Sequence, residues 1–251
     1  MSKKSYIKFI GTGSGKTSTN RFHSSILISA VGYNLLIDAG DGISRALLSQ
    51  NISFDNIDGI LFTHLHPDHF SGFASLIVQM KMSERTKNID IFIDKSLRKI
   101  AEDFLYRSYI FYKKLGFEIR YKEFTSYKEI KISKAFSFIS RQNSHLDKYV
   151  RYAKKQKLSF SCSSVLFKVD GANIFYSGDI GSADDLLLFE KNKIDIMISE
   201  VSHVSAKEIL SVYKKIKPGK FFLTHISDED EKSVSSLKKM ITAEDGMKFI
   251  I

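Results

Sequence analysis

Short apolar runs separated by glycine and polar residues dominate this chain, with amphipathic stretches between them. Residues 5–10 read as a short strand, and the runs 25–30 and 33–38, joined through Val31-Gly32, predict a β-hairpin. Residues 43–50 predict a helix and 57–63 a buried strand. The stretch 70–82 places Phe73, Leu76, Ile77 and Met80 at helical spacing. A strand follows at 89–93. Residues 95–116 read as one long helix ended by Gly116. Its aromatics Phe104, Tyr106, Tyr109, Phe111 and Tyr112 are expected to serve as core rather than as a substrate lid or partner face. Strands are predicted at 117–123 and 135–139. The runs 159–169 and 172–177 flank Asp170-Gly171, a strong two-residue hairpin signal. Helices at 182–191, 205–216 and 230–241 then alternate with strands at 194–199, 220–224 and 247–250. Such alternation, with hairpins, specifies a layered α/β architecture.

Composition narrows this picture. A hydrophobic content of 43% over 251 residues is ordinary for a soluble globular protein. No run approaches the length of a membrane span, and the N-terminus lacks the apolar core of a signal peptide. Cys162 is the only cysteine, which rules out an internal disulfide and suits a reducing cytoplasm. Metal-type residues are spread from 64 to 225, so a single domain, 1–251, is expected to gather them. The net charge of +10 favours anionic partners, although a lysine-rich genome-wide composition explains it equally well. Oligomeric state is left open, a homodimer included.

The chemistry concentrates in Thr63-His-Leu-His-Pro-Asp-His-Phe-Ser-Gly72. His64, His66, Asp68 and His69 lie too close together to share one helix face. They fit a tight loop that follows a strand. Neutral imidazole and carboxylate are preferred ligands of zinc and similar divalent ions. Asp179, after the apolar run Ile174-Phe-Tyr176, and His225, after Phe221-Phe-Leu-Thr224, are each expected at a strand end.

The histidine stretch resembles the HxHxDH motif of the metallo-β-lactamase superfamily. Ile37-Asp38-Ala-Gly40, His145, Tyr176-Ser-Gly-Asp179 and Leu223-Thr-His225-Ile-Ser227 follow in that superfamily's order. Within it, the likeness is to the ribonuclease Z and phosphodiesterase branch. It rests on Gly11-Thr-Gly-Ser14, Asn20-Arg-Phe-His-Ser-Ser25, Asp38-Ala-Gly-Asp-Gly42, Ser177-Gly-Asp179 and Thr224-His-Ile-Ser227. The resemblance implies a four-layer αββα sandwich with a dinuclear metal site at one edge. It also implies that His64, His66 and His145 bind one ion, that Asp68, His69 and His225 bind the second, and that Asp179 bridges them. The ions are expected to be zinc, with manganese or iron as alternatives. Asp38 is expected to steady the histidine loop through hydrogen bonds. His203 is expected to act as general acid at the leaving oxygen, with Glu200 orienting it and Asp68 positioning the attacking water. The site's residual positive charge favours an anionic phosphodiester.

Three further features bear on the substrate. Gly11-Thr-Gly-Ser-Gly-Lys-Thr17 imitates a phosphate-binding P-loop but has Ile10 where the pattern needs glycine. Lys16 and Thr17 remain candidates for contact with substrate phosphate. The stretch 148–157 interleaves five cations with Tyr149 and Tyr152, which suits RNA as well as a solvated surface. Only 33 residues separate His145 from Asp179, too few for the long arm with which bacterial ribonuclease Z grips tRNA. The expected function is a metal-dependent hydrolase, a two-metal phosphodiesterase acting on RNA or on a small phosphodiester. The alternatives are a lactone or thioester hydrolase of the same fold and a non-catalytic nucleic-acid-binding protein.

Overall fold

The computed structural model describes residues 4–30, 32–153, 158–234 and 237–251. The chain divides into two units, Met1–Phe124 with Glu244–Ile250, and Thr125–Ala243 with Ile251. Each is built on one seven-stranded mixed sheet.

In the first unit the strands are β1 (Tyr6–Gly11), β2 (Ser25–Ala30), β3 (Tyr33–Ile37), β4 (Gly59–Leu61), β5 (Ile89–Asp94) and β6 (Ile119–Phe124). They lie side by side in that order, and the final strand β14 (Lys248–Ile250) pairs with the free side of β1. Pairing is antiparallel from β14 to β3 and parallel from β3 to β6. Parallel strands are normally covered on both faces, which is why β4 and β5 read as nearly unbroken apolar runs. The connections are α1 (Ile43–Ser49), α2 (Pro67–Phe70), α3 (Phe73–Met82) and α4 (Arg98–Arg107). Phe62, at the end of β4, packs edge-on against Phe70 and Phe73, with centroids 4.9 and 5.0 Å away, and so ties α2 and α3 to the sheet. Arg85 is fully buried, and its guanidinium donates to the carbonyls of Phe54, Ile57, Lys87 and Asn88.

In the second unit β7 (Glu129–Ser133), β8 (Phe136–Gln142), β9 (Ser163–Val169), β10 (Ala172–Tyr176), β11 (Ile196–Glu200), β12 (Lys220–Thr224) and β13 (Ile241–Thr242) also lie in chain order. The first four pair antiparallel and the last four parallel. The β9–β10 turn has positive φ at both Asp170 and Gly171, the backbone of a two-residue hairpin. Helix α5 (Ala206–Ile216) opens on a reciprocal cap between Ser205 and Glu208, and α6 (Glu231–Val234) is a single turn. Phe175, Phe189, Met197, Phe221 and Leu223 form the centre of this unit's core.

Several boundaries differ from expectation. The long helix predicted over 95–116 ends at Arg107. Ser108 Oγ takes up the Phe104 carbonyl, and Tyr109 turns to positive φ. The aromatics it was expected to bury are mostly outside: Tyr106, Tyr109, Phe111 and Tyr112 are exposed, and only Phe104 packs partly against the core. Leu97, Ala101 and Leu105, four residues apart, already supply the buried stripe of α4, so the aromatics project elsewhere. The helix expected at 70–82 is interrupted at Gly72, where any Cβ would collide with the Gly40 carbonyl. The helices expected at 182–191 and 230–241 shrink to a 3₁₀ turn at Ala183–Leu187 and to α6. Strand β7 was missed because its residues are mostly polar and none is buried, as befits a sheet edge. Among the described residues no helix is long and apolar enough to cross a membrane.

Candidate metal centre

The first group of candidate ligands sits where β4 ends in the first unit. Asp38, just beyond β3, is completely buried and has φ of 61°. One carboxylate oxygen accepts from the Thr63 backbone N–H at 2.8 Å. The other accepts from Thr63 Oγ and from His69 Nδ1, both at 2.8 Å. Burial pushes the Asp38 carboxyl above the ordinary range, while His69 and the Thr63 donors pull it down. Because the Thr63 hydroxyl proton goes to Asp38, its oxygen is left to accept from His64 Nδ1, 3.1 Å away. His64 and His69 therefore both carry their proton on Nδ1 and keep the Nε2 lone pair, the form that binds metal. His69 Nε2 lies 3.3 Å from Asp68 Oδ2, and the His64 ring lies 4.7 Å from that of His66. Two glycines make room. A Cβ at Gly40 would run into the Asp68 backbone, and one at Gly15 would stand 3.0 Å from the Asp68 carboxylate. The glycine-rich loop that imitates a P-loop thus lies against Asp68.

The second group gathers in the second unit around Asp179, which follows β10 through Gly178 in a left-handed conformation. His145 donates through Nδ1 to the Ile180 carbonyl at 3.2 Å, so its Nε2 also carries the lone pair. That Nε2 is 3.7 Å from Asp179 Oδ2, and His225 Nε2 is 3.3 Å from Asp179 Oδ1. These separations exceed those of good N–H···O hydrogen bonds, about 2.7–3.2 Å. They approach the spacing of two ligands sharing an ion: donors each about 2.0–2.2 Å from zinc stand roughly 3.3–3.6 Å apart at the tetrahedral angle, with the His225 pair in that range and the His145 pair just beyond it. The residues present therefore fit divalent metal, and both groups contribute to largely buried His/Asp clusters of the kind that bind it.

Glu200 and His203 behave differently. His203 Nδ1 is 2.7 Å from Glu200 Oε1, and its backbone N–H donates to Oε2 at 2.9 Å. This is a direct hydrogen bond rather than a metal-spaced pair. Glu200 is buried at the end of β11 and also accepts from the Ile180 N–H at 3.1 Å. His203 is 29% exposed, and its ring stands 4.8 Å from that of His145 and 6.0 Å from that of His225. The His203 imidazole is thus partly exposed, held by a buried carboxylate and adjacent to two other imidazoles.

The structure thus brings His64, His66, Asp68 and His69 together in one unit, and His145, Asp179, Glu200, His203 and His225 in the other. Three supporting residues escaped the sequence reading. Asp185 accepts from Ser144 and from the Gly181 N–H, locking the His145 loop to the Asp179 loop. Asn143 spans the same loops, donating to the Asp179 carbonyl at 2.9 Å. Ser202 donates to the His225 carbonyl and to Asp230. Only Asp185 left a signal, the capping pattern Ser182-Ala-Asp-Asp185. Cys162 is buried, with its thiol directed at the Asp179 carbonyl, in keeping with a non-ligand. In the basic stretch, Lys148 and Arg151 stack on Tyr149 and Tyr152 along an exposed 3₁₀ turn, while Lys154, Lys155 and Lys157 lie outside the described residues.

Known proteins resemble this chain in sequence and in fold. A family model described as Anti-Pycsar protein Apyc1 matches residues 5–249. Ribonuclease Z of Archaeoglobus fulgidus is 26% identical over 92% of this chain and 90% of its own length. Among solved structures, the metallo-β-lactamase fold protein YhfI from Bacillus subtilis superposes with a TM-score of 0.75 at 18% identity, covering 98% of this chain and 99% of that one. The short form of human tRNase Z gives 0.74 at 19% identity, with the same coverage. The fold is the metallo-β-lactamase fold, and the chain is one of its metal-dependent hydrolases related to ribonuclease Z.

Proposed function

Because the chain belongs to the Anti-Pycsar protein Apyc1 family, we propose that it is a dinuclear phosphodiesterase acting on a cyclic nucleotide. In this reading residues 1–251 work as one domain, and the histidine loop and the Asp179 group serve one centre. His64, His66, His145 and Asp179 hold one ion, and Asp68, His69, His225 and Asp179 hold the other. The observation that carries the reading is that Asp179 offers each of its oxygens to a different imidazole, at metal-ligand spacing.

Divalent ions at these positions supply Lewis acidity and a hydroxide at neutral pH. The chain's own groups do the rest. Asp38 fixes His69, and through Thr63 the tautomer of His64, so that each presents its Nε2 lone pair. Asp68 positions the attacking water and accepts its proton. His203, held by Glu200, delivers a proton to the ribose oxygen as the cyclic ester opens. A cyclic nucleotide is small enough to need only the ligand edge and its near neighbours, which agrees with the short segment between His145 and Asp179. Kinship to ribonuclease Z keeps RNA as the second reading.

The test is a rate comparison on a 3′,5′-cyclic nucleotide, a pre-tRNA, an activated phosphodiester and a thioester. The cyclic nucleotide should show the highest kcat/KM of the natural esters. Faster cleavage of pre-tRNA would favour the second reading, and preference for the thioester would refute phosphodiester chemistry.

A further inference from the structure

At the start of β1, away from every candidate metal ligand, the first unit contains a cavity of about 460 Å³. Lys4, Lys8 and Lys248 line it together with the amides of Asn34, Asn51 and Asn56, and among the described residues no carboxylate does. Lys8 and Lys248 are direct partners across the antiparallel β1–β14 pair. Like charges opposite one another on a sheet are destabilising. Burial, and then the Lys248 charge, lower the basicity of Lys8. Lys8 Nζ reaches the Gln50 carbonyl at 3.4 Å, and Lys248 Nζ is held 3.8 Å from the centroid of the Tyr6 ring.

Some lysines elsewhere on the surface do face a counter-charge. Lys99 faces Asp103, Lys168 faces Glu129, Lys193 faces Asp195 and Lys215 faces Glu190. Around this cavity the cations are instead set against each other and left without a counter-charge in the lining. A bound anion would offset that repulsion. The volume falls within the usual range for small-ligand sites, roughly 300–1,000 Å³. Ammonium groups suit a phosphate as point charges, and the three asparagines add neutral donors and acceptors beside them.

We propose that this cavity is a second, non-catalytic site that binds a small phosphate-bearing anion, with Lys8 and Lys248 as its principal contacts. The site would respond to inorganic phosphate or to a phosphorylated nucleoside, and it does not depend on the assignment of the reaction.

Calorimetric titration of the metal-loaded protein at low ionic strength, once with inorganic phosphate and once with a nucleoside 5′-monophosphate, tests it. Lys8→Gln/Lys248→Gln should weaken one binding event at least about tenfold, with metal content and hydrolysis unchanged. The single variant Lys248→Gln, at an exposed position, should weaken the same event and provides the test if the double variant folds poorly. Lys193→Gln/Lys215→Gln removes equal charge elsewhere and should leave the event intact. Tighter binding of the nucleotide than of phosphate would identify a phosphorylated nucleoside as the ligand, and equal binding would identify free phosphate. The proposal is overturned if neither probe shows a site sensitive to Lys248, or if the two double variants weaken binding equally.

Discussion

Asp179 faces His225 through Oδ1 at 3.3 Å and His145 through Oδ2 at 3.7 Å, so a single carboxylate addresses two imidazoles with two separate atoms. In the proposed centre this is the arrangement that a carboxylate bridging two ions would take. Glu200 and His203 in the same unit stand closer, in direct contact at 2.7 Å.

Asp179→Ala should therefore lose at least one ion and nearly all hydrolysis while remaining folded. In the proposed centre, two cations without the bridge would repel each other uncompensated. Elemental analysis alongside circular dichroism checks this. Retention of full metal content and activity would reduce Asp179 to a turn residue.

His203→Ala should slow substrates with poor leaving groups by roughly 10²–10⁴-fold, with metal content unchanged. A nitrophenolate departs without a proton and should be affected far less. Steady-state kinetics on both substrates reads the difference, and equal losses would assign His203 a purely structural role.

Removing metal should cost stability as well as activity. Buried ligands held in the metal-binding tautomer gain from an ion that binds only the folded chain. Treatment with a chelator should lower the Tm, and readdition of zinc should restore it. An unchanged Tm would mean that the buried cluster is held by hydrogen bonds alone.

Arg85→Met should destabilise the first unit by at least about 3 kcal/mol, because several buried carbonyls would lose their donor together. Urea denaturation, monitored against an unchanged metal content, measures this. A loss below about 1 kcal/mol would show that water replaces the guanidinium without penalty.

The ligand-type residues were legible in the sequence because metal chemistry accepts few side chains and the histidine loop places four of them within six positions. The hairpin at Asp170-Gly171 was legible because its backbone requires positive φ at both positions. The break after Arg107 was not. The aromatics beyond it mimic a core stripe, and only the competing spacing of Leu97, Ala101 and Leu105 shows which face is buried. Nor could sequence show that Asp185 and Asn143 join the His145 and Asp179 loops. These bonds span roughly forty residues and leave no local pattern.

Metal-free protein can be titrated with zinc or manganese while hydrolysis of a 3′,5′-cyclic nucleotide is followed. The rate should rise with loading and level off at two equivalents per chain, as the proposed dinuclear centre requires. A plateau at one equivalent, or no hydrolysis of a cyclic nucleotide at any loading, would contradict it.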